Sequence, residues 1–450
     1  MKKYDVVALG ELLIDFTENG KSNQGNPLFE ANPGGAPCNV LAMLTKLGHK
    51  TAFIGKVGED FFGEQLRDAI TEVGIDASGL CTDKEIHTTL AMVHTYPDGD
   101  RDFSFYRNPG ADMMLNKEEV QAELIKETKI FHFGTLSMTH GGVREATKEA
   151  IRIAEESGAV ISFDPNLRPP LWNSLDEAKE QVLYGLAHCH ILKISDNEIQ
   201  WLTGEEDYTA GVNWIRERYQ IQLILVSMGK EGSRAYYNGT MVEVKPFLQK
   251  NTIETTGAGD TFCGCVLHYI CEHGMECLEE ENLKEMLTFA NAAASVITTR
   301  KGALRVMPTR DEIQNLLGII SYRLYPEHYF GRKNTIFIGK VTGTAVFVGN
   351  VADRFDSYAV SGAFGGLENI VFLLYFTIEG ILHMNQKQVI MVGINLHINL
   401  SAGLICFHTC LDGIFQQIGK YKAQINLIYG KISGQGNQCM KRNIFSFGKG

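Results

Sequence analysis

The chain has 450 residues, room for one large domain or several ordinary ones, and its hydrophobic fraction of 44% with 21% charged residues is that of a soluble globular protein with a sizeable core. A formal net charge of -11 excludes nucleic acid as a partner, because a phosphate backbone calls for a cationic face. The charge is uneven: through Leu317 there are 30 Lys and Arg against 47 Asp and Glu, whereas the remainder carries a balance of +6.

Met1-Lys2-Lys3-Tyr4 leads straight into DVVALG, too short an apolar run for a signal core. The ten cysteines form no C-x-x-C pair, so reduced thiols in a cytoplasmic protein are expected. Cys406 and Cys410 flank His408, but without a second ligand cluster they do not make a metal site.

DVVALGELLIDF (5–16) reads as a buried strand, as in a parallel sheet. Residues 17–33 are polar and rich in Gly and Asn. NVLAMLTKLG (39–48) spaces its apolar residues for a helix that stops at Gly48. TAFIGKVG (51–58) is a strand and EQLRDAITEVGI (64–75) a helix stopped by Gly74. TTLAMVHTYPDGDRDFSFYRN (88–108) reads as two strands joined by the turn PDGD, with Phe103 and Phe105 alternating with Asp102 and Ser104. Strands follow at 129–134, 159–166, 191–195 and 223–229, with a helix at 144–158. This alternation predicts a doubly wound α/β sheet. The interrupting stretches, 17–33 and 88–108, would then form a lid beyond the carboxyl edge of the sheet, where ligands of such folds sit.

The sharpest chemical signal is NTIETTGAGDTFCGCVLHYI (251–270), in which a Thr-rich strand meets Gly257-Ala258-Gly259-Asp260 and an apolar helix follows. Small residues entering a helix let successive backbone amides point at one anion. Asp260, in the first helical turn, should remain a carboxylate and accept the proton of a substrate hydroxyl. No G-x-x-x-x-G-K-[ST] occurs, which excludes a P-loop, and Phe262 stands where a dinucleotide fingerprint needs its third glycine, which disfavours hydride transfer. Asp15, at the end of the first strand, could accept hydrogen bonds from two hydroxyls. Gly34 and Gly35 in NPGGAPCN (32–39) permit close backbone approach to a ligand, and Asn39 offers both a donor and an acceptor, or simply caps a helix. Arg168 lies in DPNLRP (164–169) at a strand end, where a guanidinium can bridge phosphate oxygens, and Glu198 ends ILKISDNE (191–198) at a helix start, placed for a metal's water shell or for the helix dipole.

These motifs, with SMGKEGS (227–233) and FANAAASV (289–296) in the same order and separation, resemble the PfkB/ribokinase family of carbohydrate kinases over residues 4 to 317, and look most like its bacterial fructokinase branch. The resemblance implies a Rossmann-like α/β ribokinase fold with a small β-sheet lid, often shared in a homodimer. It also implies ATP with Mg2+, and transfer to a sugar's primary alcohol. Asp260 matches the family's base, and Gly257, Ala258 and Gly259 its anion hole. Asp15, Gly34, Gly35 and Asn39 match sugar-binding positions, with Arg107 reaching in from the lid. Lys193, Ser227, Gly229, Gly232 and Asn291 match positions near the nucleotide. Two departures touch the cations. The metal-linked element begins with Ser195 instead of Asn. The late signature opens with Glu254 instead of Asp, at the family's K+ site.

The expected reaction is phosphorylation of D-fructose at its 6-hydroxyl. The alternatives are a kinase for another ketose or a sugar acid such as 2-keto-3-deoxygluconate, or a sugar-binding regulator without turnover. Beyond PTRDEIQNLL (308–317), expected to end the last helix, no family motif recurs. NIVFLLYFTI (369–378) and VIMVGINL (389–396) are too short or interrupted to be clear membrane spans, and 318–450 is expected not to be an evolved domain.

Overall fold

The computed structural model describes residues 2–95 and 101–324, and beyond them five short strand segments between 337 and 397. The chain divides into two units, Met1–Ile319 and Ile320–Gly450.

In the first unit the elements are β1 (Tyr4–Leu9), β2 (Leu13–Lys21), β3 (Pro27–Gly34), α1 (Ala36–Lys46), β4 (Thr51–Gly58), α2 (Phe61–Glu72), β5 (Asp76–Asp83), β6 (Leu90–Thr95), β7 (Arg101–Tyr106), α3 (Ala122–Lys126), β8 (Thr128–Gly134) and α4 (Gly141–Glu156). They continue with β9 (Val160–Asp164), α5 (Leu175–His188), β10 (Ile191–Ser195), α6 (Asp196–Thr203), α7 (Tyr208–Arg216), β11 (Leu223–Ser227), β12 (Ser233–Tyr237), β13 (Thr240–Val244), α8 (Ala258–His273), α9 (Glu280–Ile297) and α10 (Arg310–Leu324).

Nine strands form one sheet in the order β13-β12-β11-β10-β9-β8-β1-β4-β5, in which β12 alone runs against the others. Because successive side chains of a strand point to opposite faces, β1 feeds two cores at once. Val6 and Ala8 pack with α1, α8 and α9, while Val7 and Leu9 pack with α4 and α5. On the second face Phe133 stacks on Phe163 with ring centroids 4.7 Å apart, and both rings are fully buried, worth roughly 1.5–3 kcal/mol each. The carboxyl ends of the parallel strands therefore stand on a rigid platform.

Four strands form a second sheet, β3-β2-β6-β7, the lid expected from the interrupted alternation. It is longer than expected on its first side, since residues 5–16 are not one strand. The chain leaves the main sheet after Leu9, and β2 starts at Leu13, pairing with β3 and running parallel to β6. Asp15 thus lies on the lid sheet, in register with Asn32, and does not end the first strand. The PDGD turn (97–100) lies outside the described residues.

Two further expectations change. Residues 251–256 form no strand despite their Thr and Ile content, because the amides of Ile253 and Glu254 donate to Thr298 O at the end of α9. The last helix does not stop at Leu317 but runs to Leu324. In the second unit the two apolar runs fall in antiparallel strands, Val371–Met384 against Lys387–His397. No helix among the described residues is long and apolar enough to cross a membrane. All seven described cysteines are free thiols, and Cys406, His408 and Cys410 lie outside the described residues.

Candidate active site

The site forms where α1 and α8 cross at the carboxyl edge of the sheet. Their approach is set by Gly264, where a Cβ would come within 2.8 Å of Met43 Cβ. This close packing brings Asn39, in the second turn of α1, against Asp260, in the first turn of α8, and Asn39 Nδ2 donates to Asp260 Oδ2 at 2.8 Å. Asn39 is therefore not a helix cap, a place taken by Gly35. Its Oδ1 is buried and has no hydrogen-bond partner, an unpaired acceptor beside a carboxylate.

Gly257 caps α8 in the left-handed conformation (φ 72°), with a Cβ position 2.6 Å from Ala303 Cβ, so only glycine fits the turn. The first-turn amides of a helix lack intrahelical acceptors and carry its positive partial charge. Asp260 is partly open to solvent through the cleft, yet desolvation is the largest influence on its carboxyl and pushes it above the ordinary range. The Asn39 hydrogen bond and the charges of Lys193 and Arg168 pull it back down. The helix start does not act alone, as the sequence suggested. Two cations and an amide oppose burial, which still outweighs them.

A narrow pocket opens beside Asp260, lined by Glu11, Ala36, Pro37, His132, Thr135, Asp164 and Asn166 among others. Two of these acids were not legible as site residues. Glu11 follows the break after β1; its Oε1 accepts from the Ala36 amide at 2.8 Å, and burial raises its carboxyl to about 7. Asp164 ends β9, pairs with Lys193 at 2.9 Å and is raised to about 6 by burial. An acid inside an apolar run and a lone lysine in ILKIS were the available signals. His132, on β8, is bonded to Ser162 Oγ, and burial pushes it down to about 3, leaving it neutral.

The other expected residues divide into groups. Gly34 and Asp15 adjoin, since a Cβ on Gly34 would lie 2.2 Å from Asp15 Oδ2, and Asp15 is half-buried. Arg168 follows β9 and donates to Asn166 Oδ1 at 2.8 Å, while its charge reaches Asp260. Glu198 sits in a capping box: its Oε2 accepts from Ser195 N at 2.8 Å, and Oε1 accepts from Leu167 N at 2.7 Å. Ser227, Gly229 and Gly232 gather at the β11–β12 turn, and Ser233 Oγ donates to Asn291 Oδ1 at 2.9 Å.

Two placements differ from expectation. Arg107, expected to reach in from the lid, directly follows β7 and is buried. It pairs with Asp112 at 2.7 Å and donates to Thr139 Oγ1 and Leu136 O, so its guanidinium is held by protein groups. Asn291 Nδ2 donates to Val244 O and Lys245 O, tying α9 to the end of β13, an anchoring position instead of an open one beside a nucleotide. Glu254 accepts from the Gly302 amide at 2.7 Å.

A carboxylate in the first turn of a helix and flanking cations are parts of a phosphoryl-transfer site; of the first-turn amides, that of Ala258 donates to Thr255 O at 3.2 Å. The model of the pfkB family carbohydrate kinases matches residues 3–310. The chain belongs to the pfkB family of carbohydrate kinases. As a member it is a phosphotransferase acting on a sugar hydroxyl. Probable fructokinase-4 of Arabidopsis thaliana is 40% identical over 317 residues, 69% of this chain and 96% of that protein. Among solved structures, a fructokinase with bound ATP from Xylella fastidiosa matches with a TM-score of 0.65 at 31% identity, over 71% of this carbohydrate kinase and 100% of its own chain. A fructokinase from Vibrio cholerae O395 with fructose, ADP and calcium ion bound matches with a TM-score of 0.64 at 28% identity, over 70% and 99%.

Proposed function

We propose that this carbohydrate kinase transfers the terminal phosphoryl group of ATP to the 6-hydroxyl of D-fructose. The observation that carries the reading is Asp260, held by Asn39 at the first turn of α8 and facing the cleft. Its carboxylate takes the hydroxyl proton as the sugar oxygen attacks phosphorus; the bond from phosphorus to the bridging oxygen breaks and ADP leaves. The amides of Gly257 and Gly259 receive the charge of the transferring group, joined by that of Ala258 once it leaves Thr255 O, to which it donates at 3.2 Å, and Arg168 neutralises phosphate oxygens. Asp15, Gly34, Gly35 and Asn39 form the sugar side, where the unpaired Asn39 Oδ1 suits a sugar hydroxyl as donor. Arg107 acts there by fixing Asp112 and the segment at Leu136, without touching the sugar. Ser227, Gly229 and Gly232 line the nucleotide's side, with Lys193 deeper and Asn291 as their anchor.

Glu198 has acceptor capacity left after its three protein donors, and so fits a metal-bound water. Magnesium held there would neutralise charge on the nucleotide's phosphates. Glu254 accepts from the Gly302 amide, and a carboxylate has further lone pairs with which it would join a K+ site. Leu28, Phe29 and Tyr106 are exposed on the lid strands, which favours a homodimer joined through the lid. The free thiols suit the reducing cytoplasm, where we place the protein.

ADP release measured by a coupled assay across a sugar panel tests the reading. Fructose should give the highest kcat/KM. A preference for 2-keto-3-deoxygluconate would move the enzyme to a sugar-acid kinase, and no ADP release with any sugar would leave a binding protein. Residues 318–450, we further propose, are not an evolved domain, since the family match ends at residue 310. A chain ended after Leu324 should release ADP at the full rate; a collapse of activity or solubility would overturn this.

A further inference from the structure

Lys193 is a lone cation in a strand whose neighbours Ile191, Leu192 and Ile194 are almost wholly buried, and it is itself only 6% exposed. The register of β9 and β10, Ile191 beside Ser162 and Leu192 beside Phe163, carries it next to Asp164, which is 3% exposed. Their ion pair, at 2.9 Å, is a poor device for joining two strands. Desolvation costs such a pair several kcal/mol per ion, and a well-packed apolar pair often does as well or better. Its position suggests another task. A Cβ built on Gly259 would lie 3.2 Å from Lys193 Nζ, so the ammonium sits directly under the first turn of α8, one residue from Asp260.

We infer that Asp164 and Lys193 are positioning residues for the transfer: Asp164 pins the Lys193 ammonium beneath Gly259, where its charge favours the ionised form of Asp260 and reinforces the first-turn amides of α8. This rests on the reading of Asp260 as the base. Asp260 is faced by Lys193 from β10 and by Arg168 from the segment after β9. Lys193 is faced in turn by Asp164 and by Glu198 from α6, which outweigh burial and hold it charged, and His132 across from it is neutral. Cys263, on α8 below Asp260, is kept as a thiol chiefly by burial. A lysine held this way cannot swing out to follow a nucleotide. It acts from below, through Asp260.

The test compares Lys193→Met, Lys193→Arg and the double variant Asp164→Asn/Lys193→Met in the full chain, reading the pH dependence of kcat/KM for fructose beside kcat and the KM for each substrate. Removing an opposite charge near a carboxylate raises its pKa. The acid limb should therefore move up by about one pH unit or more, with kcat at neutral pH down at least ~10-fold and KM for fructose little changed. Lys193→Arg should restore the limb. Lys193→Met alone leaves Asp164 buried without its partner and can fail to fold; the double variant removes both groups of the ion pair and should fold with the same displaced limb. A folded variant whose limb stays at the parental pH overturns the proposal, and so does a double variant that does not fold, since the pair would then serve the fold. If Asp260→Asn abolishes turnover while the limb is unmoved in Lys193→Met, only this inference fails; if Asp260→Asn turns over normally, the reading beneath it fails.

Discussion

Replacing Asn39 by Leu should cost activity while leaving stability nearly unchanged. The substitution removes one satisfied group and one unsatisfied group together. Nδ2 donates to Asp260 at 2.8 Å, a bond to a charged partner worth about 1.5–3 kcal/mol. Oδ1 is buried without a partner, which costs about 1–3 kcal/mol of desolvation. The two offset each other, and leucine fills nearly the same volume, so the net change should stay within about 1.5 kcal/mol. For a domain of this size that is a shift in Tm below about 6 °C. Catalysis has no such offset. The lost hydrogen bond stabilises the ionised form of Asp260, so its removal raises that pKa and moves the acid limb of kcat to higher pH. Turnover at neutral pH should fall about 10–100-fold. Calorimetry and coupled ADP release on one preparation decide the matter. A Tm lowered by more than about 10 °C with the pH limb in place would show Asn39 to be a packing residue and refute the reasoning.

Gly34→Ala should raise KM for the sugar about 10-fold or more and spare KM for ATP, because its Cβ would press on Asp15 Oδ2 at 2.2 Å, the end of a side chain able to move. Gly35→Ala should instead destabilise the fold by about 2–4 kcal/mol in denaturant melts, since φ is 124° and the obstacle, at 2.4 Å, is the backbone carbonyl of Glu11. Two buried groups should set opposing pH dependences of stability between about pH 4 and 7. Burial, opposed by Glu272 and assisted by His49 and Arg310, lowers the pKa of His268 to about 4. The unfolded chain then binds this proton first, and stability present above about pH 6.5 is lost as pH falls toward 4. Glu11, raised to about 7, contributes stability that is complete below about pH 4.5 and is lost as pH rises through 7. Denaturation midpoints of Glu11→Gln should exceed those of the parent above pH 7 and match them near pH 4.5; equal midpoints throughout would contradict this.

Much of this was legible in the sequence because the relevant signals are local. Gly48 and Gly74 mark helix ends through their positive φ, and TAFIGKVG spans β4. Gly257 and Asp260 announce a helix start with an acid in its first turn. What escaped depends on neighbours distant in sequence. The break between β1 and β2 hides inside an apolar run because Glu11 and Leu12 are themselves buried. NTIETT has the composition of a strand, but its amides are taken up by Thr298. The charge setting of Asp260 depends on Lys193 and Asp164, which meet only through the register of two strands. Arg107 falls in a stretch that reads as lid, yet Asp112 and Thr139 draw its guanidinium into the interior.

The central claim is that the Asp260 carboxylate removes the proton from the attacking sugar hydroxyl. Asp260→Asn keeps shape and volume and tests it most directly, with fructose-dependent ADP release as the readout and an unchanged thermal melt as the control. In that variant kcat should fall about 10²–10⁴-fold with fructose still bound. Turnover close to that of the parent would contradict it.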